Sequence, residues 1–292
     1  MSDENVVERR NKRAAKVQHP KGKLTAYERI NLLLDEGSFN EIDQNVSSIE
    51  NPDGEAVITG SGTVHGRPVY VYSEDFSVMG GSLGEVVAKK ILKVMDKALE
   101  SRSPIIGIKD SGGARIQEGI TSLYGYAQIF KKNVQSSGKI PQISVIVGPS
   151  AGGAVYSPAL TDFIFQVQSI GQLYVTGPAV VKTVTGEDVS FEELGGVEAH
   201  GAKSGVTHQV CETEEQVFEE VRYLLSFLPQ SSFQKPPVFI TEDESKRLVE
   251  SLDSFIPSNR NLPYDMEKII IDIVDDGEHY PIQGNYATNI IT

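Results

Sequence analysis

Two stretches of this sequence share one grammar, and together they restrict the fold more than anything else in it. The first is the apolar run Pro104-Ile105-Ile106-Gly107-Ile108, followed by Asp110-Ser111-Gly112-Gly113-Ala114-Arg115-Ile116-Gln117-Glu118-Gly119. The run is short and β-branched, as a buried strand is. After it, Ile116, Ile120, Leu123, Ala127 and Phe130 recur at spacings of three and four, which predicts a helix. The second stretch is Ile143-Ser144-Val145-Ile146-Val147-Gly148, then Pro149-Ser150-Ala151-Gly152-Gly153-Ala154-Val155-Tyr156-Ser157-Pro158. Each reads as a strand, a glycine turn and a helix start. Such a turn leaves backbone N–H groups pointing outward, with the positive end of the helix dipole behind them. One glycine turn means little, because any tight strand-to-helix connection uses glycine. Two, each with paired glycines, predict two N–H donors converging on one oxygen: a phosphate, or an oxygen that becomes negative during a reaction.

Neither turn is a nucleotide fingerprint. Gly-x-Gly-x-x-Gly is absent from both, and no Gly-x-x-x-x-Gly-Lys-Ser/Thr occurs. Gly148-Pro149-Ser150-Ala151-Gly152 does match the nucleophile elbow Gly-x-Ser-x-Gly. A serine hydrolase would then need His200 or His208 to follow in the order that elbow requires. Pro149 and the pair Gly152-Gly153 favour a backbone role instead.

The remainder of the chain bounds the class. Hydrophobic residues at 39% and charged residues at 23% describe a globular protein of 292 residues, long enough for one or two domains. A net charge of −13 argues against general nucleic-acid binding. No apolar run reaches the length of a membrane helix and no signal peptide opens the chain, so no membrane association is expected. Cys211 is the only cysteine, so neither an internal disulfide nor a cysteine metal cluster is expected, and no metal site is assigned. These features together point to a soluble cytoplasmic protein. Basic residues are uneven: Arg9, Arg10, Lys12, Arg13, Lys16, Lys21 and Lys23 crowd the first 23 positions. They form either a solvated helix and arm, or an arm that in part neutralises ligand phosphates.

Along the chain, residues 4–18 predict a polar helix broken by His19-Pro20. Thr25 and Glu28 form a capping box, Ile30, Leu33 and Leu34 give the helix its apolar face, and Gly37 ends it. A hairpin turns at His65-Gly66. A glycine-rich loop, residues 75–84, runs into a helix from Glu85 to Glu100 whose buried face is Val87, Ile91, Val94, Met95 and Ala98. Strands follow at Asp162–Val167 and Gln172–Thr176, and Gly177-Pro178 starts a short helix. Residues 183–196 read as a polar, glycine-punctuated region. A helix from Glu214 to Leu228 carries Val217, Val221, Leu224 and Leu225 inward. Strand and helix alternate as in stacked β–β–α units.

With these residues in hand, the sequence resembles the biotin-dependent acyl-CoA carboxyltransferases, nearest to the propionyl-CoA carboxylase beta and transcarboxylase large subunits. The resemblance is carried by Asp110 to Gly119, Gly148 to Pro158, Gly177-Pro178 through Lys182-Thr183-Val184-Thr185-Gly186-Glu187, Lys23-Leu24-Thr25-Ala26 and Gly80-Gly81-Ser82-Leu83-Gly84-Glu85. Two positions depart from the pattern: Tyr27 stands where a basic residue is expected, and Ser150 where a cysteine is common. The resemblance implies an α/β fold, the crotonase-like ββα-superhelix, in a subunit built from two related halves. Residues 1–250 would be the N-terminal carboxyltransferase domain. Residues 251–292 would be a linker and the truncated start of a C-terminal one, so the chain is expected to be a fragment. In support, Ile30 to Ile42 is echoed by Ile269 to Ile282.

The resemblance also implies the chemistry: carboxylate passes from carboxybiotin to the α-carbon of a short-chain acyl-CoA, with propionyl-CoA favoured, through an enolate. Its catalytic residues would be Gly113, Ala114, Gly152 and Gly153, with the N–H groups of Ala114 and Gly153 as donors. Ligand contacts would come from Lys21, Lys23, Arg29, Gly112 and Tyr156. Tyr156 either lines the acyl pocket or belongs to the core. Arg115 and Glu118 form either a structural pair at a helix start or part of the catalytic apparatus. No cofactor would be bound covalently: biotin would arrive on a carrier protein, the CoA thioester would be the substrate, and a biotin carboxylase/carrier subunit and a homo-oligomer, by resemblance a hexamer, would be the partners. Alternatives are a crotonase-type enoyl-CoA hydratase or isomerase, a non-catalytic CoA-binding assembly module and, within the family, a transcarboxylase or methylmalonyl-CoA decarboxylase subunit.

Overall fold

A computed structural model describes residues 6–292. The expected polar helix is α1 (Val6–Gln18), and residues 4 and 5 of that expectation lie outside the described residues. Helix α2 (Ala26–Leu33) opens on the capping box foreseen for it: Glu28 N–H donates to Thr25 Oγ1, and Thr25 N–H to the Glu28 carboxylate. Strand β1 (Asn40–Ile42) pairs with β2 (Val57–Val64), which forms an antiparallel hairpin with β3 (Arg67–Glu74). His65 and Gly66 both take positive φ, as a two-residue hairpin turn demands.

Helix α3 (Glu85–Ser101), β4 (Ile105–Ser111), α4 (Ile120–Ser136) and β5 (Gln142–Ala151) come next. The short α5 (Gly153–Tyr156) leads to β6 (Phe163–Val167), β7 (Gln172–Tyr174) and α6 (Pro178–Thr185). In residues 183–196, read as a polar region, Ser190 and Glu193 form a second capping box that starts α7 (Phe191–Gly195). One π-helical segment, β8 (Gln209–Cys211), α8 (Glu214–Phe227) and α9 (Met266–Ile273) complete the chain.

The sheet runs β1-β2-β3-β4-β5-β6-β8, antiparallel through β3 and parallel beyond it, with β7 pairing the far end of β5. Side chains alternate across it, so successive residues of one strand serve different cores. Ile106 and Ile108 pack with Ile30 and Leu33 of α2 and with Val217 and Val221 of α8, whereas Ile105 packs with Val87, Ile91 and Met95 of α3 and with Ile129 of α4. Both strands that carry glycine turns lie mid-sheet with helices on each face, so their C-terminal ends are held at adjacent, rigid positions.

The first part of the apolar repeat after the first turn does not enter the core, although Phe130 at its end packs against it. Ile116 is 89% exposed and Ile120 82%, and Leu123 is exposed as well. The buried face of α4 is instead Ser122, Gly125, Tyr126, Ile129 and Asn133. Small residues at 122 and 125 allow close approach to α3: a Cβ at Gly125 would lie 2.7 Å from the methyl of Ala88.

Candidate active site

Strands β4 and β5 are parallel neighbours, and Ser111 pairs with Ser150 where they end. The two glycine turns therefore leave the sheet side by side. Gly113 takes φ +99°, and a Cβ there would sit 2.7 Å from the carbonyl oxygen of Ala151, so the turns are in contact. The first is pinned to the loop before α3: Gly112 N–H donates to Gly80 O, Leu83 N–H to Gly113 O and Arg115 N–H to Leu83 O, each at 2.9 Å. The second is pinned by Gly152 N–H to Tyr174 O at 3.1 Å. Ala114 N–H and Gly153 N–H, by contrast, meet no acceptor among the described residues. Gly153 N–H opens α5, and the ring of Tyr126 lies directly beneath it: a Cβ at Gly153 would be 2.5 Å from that ring. The constraint on Gly153 is thus the aromatic floor below it. Gly112 is exposed, with only Gly80 O, at 3.5 Å, near the place a Cβ would take.

Of the residues expected to contact ligand, Tyr156 is half exposed and packs edge-on to Phe130, and Lys21 is exposed with its ammonium 5.0 Å from the ring centre of Phe76. Lys23 and Arg29, which the resemblance places at the ligand, lie in the interior of this chain. Lys23 Nζ is 2.7 Å from Asp110 Oδ2 and Arg29 Nη1 is 2.9 Å from the same oxygen, while Arg29 Nε meets Glu214 Oε2 at 2.5 Å. All of these groups are buried, and each Arg29 nitrogen already has a protein partner, Nη2 donating to Val147 O. Burial lowers the Lys23 pKa, and the facing Asp110 carboxylate opposes that fall without cancelling it.

Arg115 and Glu118 are structural. Arg115 bridges Glu55 at 2.9 Å and Glu118 at 2.8 Å, and the second Glu118 oxygen accepts the N–H of Glu85 at the start of α3. The carboxylate therefore caps a helix. The basic arm likewise divides: Arg10 is buried and bridges Glu41 at 3.2 Å, and Tyr27, at the departing position, is buried with its hydroxyl on Glu41.

The hydrolase reading of Ser150 fails on geometry. Its side chain is fully buried and its hydroxyl has no partner among the described residues. His208 Nδ1 accepts from Ile164 N–H at 3.0 Å, and His200 Nε2 sits 2.7 Å from Leu173 O, so neither imidazole serves Ser150. Among the described residues, no helix is long and apolar enough to cross a membrane, and no three His, Cys, Asp or Glu side chains are grouped to hold a metal.

Two N–H groups without acceptors on adjoining turns, one of them over the ring of Tyr126, are an arrangement that can polarise a carbonyl oxygen. The chain belongs to the carboxyl transferase domain family, which it matches over residues 17–292. It is 52% identical over 283 residues to the propionyl-CoA carboxylase beta chain of Roseobacter denitrificans, a match covering 94% of this chain and 56% of that one. It is also 52% identical to the methylmalonyl-CoA decarboxylase subunit alpha of Veillonella parvula, with the same coverage. The solved structure of transcarboxylase 12S, a hexamer holding methylmalonyl-coenzyme A and methylmalonic acid, superposes with a TM-score of 0.90 at 43% identity, over 96% of this chain and 56% of that one. The fold is accordingly the crotonase-like carboxyltransferase fold, and the chain spans little more than half the length of the relatives it matches.

Proposed function

We propose that this chain carries the acyl-CoA side of a biotin-dependent carboxyltransferase, with propionyl-CoA as the acceptor. The contact between the two turns at Gly113 and Ala151, with Ala114 N–H and Gly153 N–H left free, carries the reading. A thioester that loses its α-proton becomes an enolate, and charge collects on the carbonyl oxygen. Two fixed N–H donors aimed at that oxygen lower the barrier, and loss of one donor in such a site lowers rates by ~10²–10³. Gly113 and Gly152 shape the turns, and Gly112 keeps their mouth open. Tyr156 lines the acyl end, and Lys21, exposed at the end of the basic arm, faces the phosphates.

Carboxybiotin, carried by a partner protein, would supply the carboxylate, and the biotin left after decarboxylation would take up the α-proton. This chain binds and orients the thioester and stabilises the enolate oxygen. It offers no base of its own: Asp110 and Glu118, the carboxylates of the first turn, are committed to Lys23 and Arg29 and to Arg115 and Glu85 N–H. That commitment counts against a hydratase or isomerase, which would need a free carboxylate there. We further propose that residues 1–250 form the domain, that 251–292 begin a second related half, and that the enzyme works as a hexamer with a biotin carboxylase/carrier subunit, as the similarity to the transcarboxylase hexamer supports.

Calorimetric titration with propionyl-CoA tests this, with Gly112→Val as the control, because a side chain there meets little of the protein. Saturable binding to the native chain, lost in a variant of unchanged melting temperature, is expected. Equal binding by both would overturn the placement of the ligand at the turns.

A further inference from the structure

The ladder between β4 and β5 breaks just before the turns. Lys109 pairs with Ile146 but Ser111 pairs with Ser150, so Asp110 alone faces Val147, Gly148 and Pro149. Charged side chains satisfy the backbone groups that the break leaves. Asp110 N–H donates to Glu74 Oε2 at 2.9 Å, and Val147 O accepts from Arg29 Nη2 at 3.2 Å. Glu74 is itself held by Lys109 at 2.5 Å; burial works against the charge on Lys109, but the Glu74 carboxylate holds its pKa above the ordinary lysine value.

The Asp110 carboxylate fills the gap. It is 0% exposed. Oδ2 accepts from Lys23 Nζ, Arg29 Nη1 and Gln18 Nε2, the last at 2.9 Å. Oδ1 has no partner among the described residues and lies against Gly148, where a Cβ would overlap it. Glu214 closes the far side, bonding Arg29 and, at 2.8 Å, Leu24 N–H. A buried cluster of this kind adds little stability over well-packed apolar groups, whereas removing one partner leaves an uncompensated buried charge.

We propose that Asp110 is a positioning residue: its carboxylate, held by residues 18–29, acts as a wedge between β4 and β5 and sets the distance between the N–H groups of Ala114 and Gly153. It does not touch substrate. The proposal rests on the reading of those two groups as donors to an enolate oxygen. Segment 18–29, remote in sequence from both turns, is then part of the site without contacting the ligand.

The test uses three variants. Gly148→Ala pushes on the carboxylate without changing any charge, Asp110→Asn removes its charge at constant shape, and Gln18→Leu removes one neutral donor and serves if either of the others fails to fold. The first readout is the amide ¹⁵N–¹H resonances of Ala114 and Gly153 in this chain, with Val64 and Arg67 of the hairpin as a remote reference. The second is the KM and kcat for propionyl-CoA of the complete enzyme carrying the same substitutions. Displaced Ala114 and Gly153 resonances, an unmoved reference, and a kcat lowered about a hundredfold at a KM changed less than about twofold are expected. Resonances of Ala114 and Gly153 at their native positions in a folded variant would overturn the wedge, whatever the kinetics. Displaced resonances with native kcat would instead overturn the donor reading on which the proposal stands.

Discussion

Helices α2 and α9 are the same local structure in different surroundings. Each has eight residues, and their positions are offset by 240, from Ala26 to Met266 and from Leu33 to Ile273. Each starts on a polar cap, Thr25 or Asp265, whose side chain accepts a first-turn N–H. Each ends alike: Leu34 N–H donates to Ile30 O at 3.0 Å and Val274 N–H to Ile270 O at 3.1 Å. Gly37 and Gly277 then take φ of 71° and 70°. An arginine caps both C-termini, Arg222 on Leu33 O and Arg247 on Asp272 O and Val274 O. Yet α2 buries Ala26, Tyr27, Arg29, Ile30 and Leu33, while α9 buries none of its residues. Caps and turn glycines thus specify the helix and its exit, whereas tertiary packing decides what the helix contributes to stability.

The sharpest test of that contrast is truncation at equivalent positions. Leu33 is 0% exposed and Ile273 61%. Leu33→Ala is expected to lower unfolding stability by ~2–5 kcal/mol, and Ile273→Ala to change it by less than ~0.5 kcal/mol, both read by denaturant titration. Equal losses would show that α9 is packed as α2 is.

A smaller effect distinguishes the turns. Burial raises the pKa of Asp35, but the N–H groups of Gly66 and His65, the Thr63 hydroxyl and Arg222 outweigh it, so the carboxyl titrates well below its ordinary value. A depressed carboxyl stabilises the fold above its unfolded pKa of 3.8, and that stability disappears as pH falls toward the folded value. Asp35→Asn should therefore destabilise the protein at pH 7, with the difference from the native chain shrinking below about pH 4. The equivalent change at the exposed Asp275 should leave the melting temperature at pH 7 unaltered. A constant Asp35→Asn difference from pH 7 to pH 3 would rule out this role for the carboxylate.

The smallest effect concerns the caps. Thr25→Ala should reduce global stability by ~1 kcal/mol. Asp265→Ala should only speed hydrogen exchange at the first amides of α9, leaving the melting temperature unchanged. A shared drop in melting temperature would join α9 to the main cooperative unit.

What could be read before any coordinates was largely what is local. The Thr25–Glu28 box, the turn at His65-Gly66 and the buried faces of α3 and α8 follow from spacings within one element. The two glycine turns were legible for the same reason, and their contact follows from two parallel strands being neighbours. Depth was not legible. Lys23 ends the basic arm and Arg29 lies in α2, and nothing nearby in sequence indicates that Asp110 and Glu214 wait for them in the interior. The stripe from Ile116 to Leu123 has the period of a core helix but faces outward, because Ser122 and Gly125 let α4 approach α3 with its small residues. The signal for the ladder break was Gly148, one residue ahead of a turn and in need of no unusual φ. Such a glycine signals a close neighbour, though sequence cannot name it.

The charge cluster behind the turns also bears on the order in which the protein folds. Arg29 and Glu214 are separated by 185 residues, and Lys23 and Asp110 by 87. Contacts so distant form late, whereas the β2–β3 hairpin can close within its own 18 residues. Until α8 docks, Arg29 and Glu214 remain hydrated and the wedge has only part of its support. The site therefore depends on contacts that span most of the chain, and it is complete only when the whole fold is.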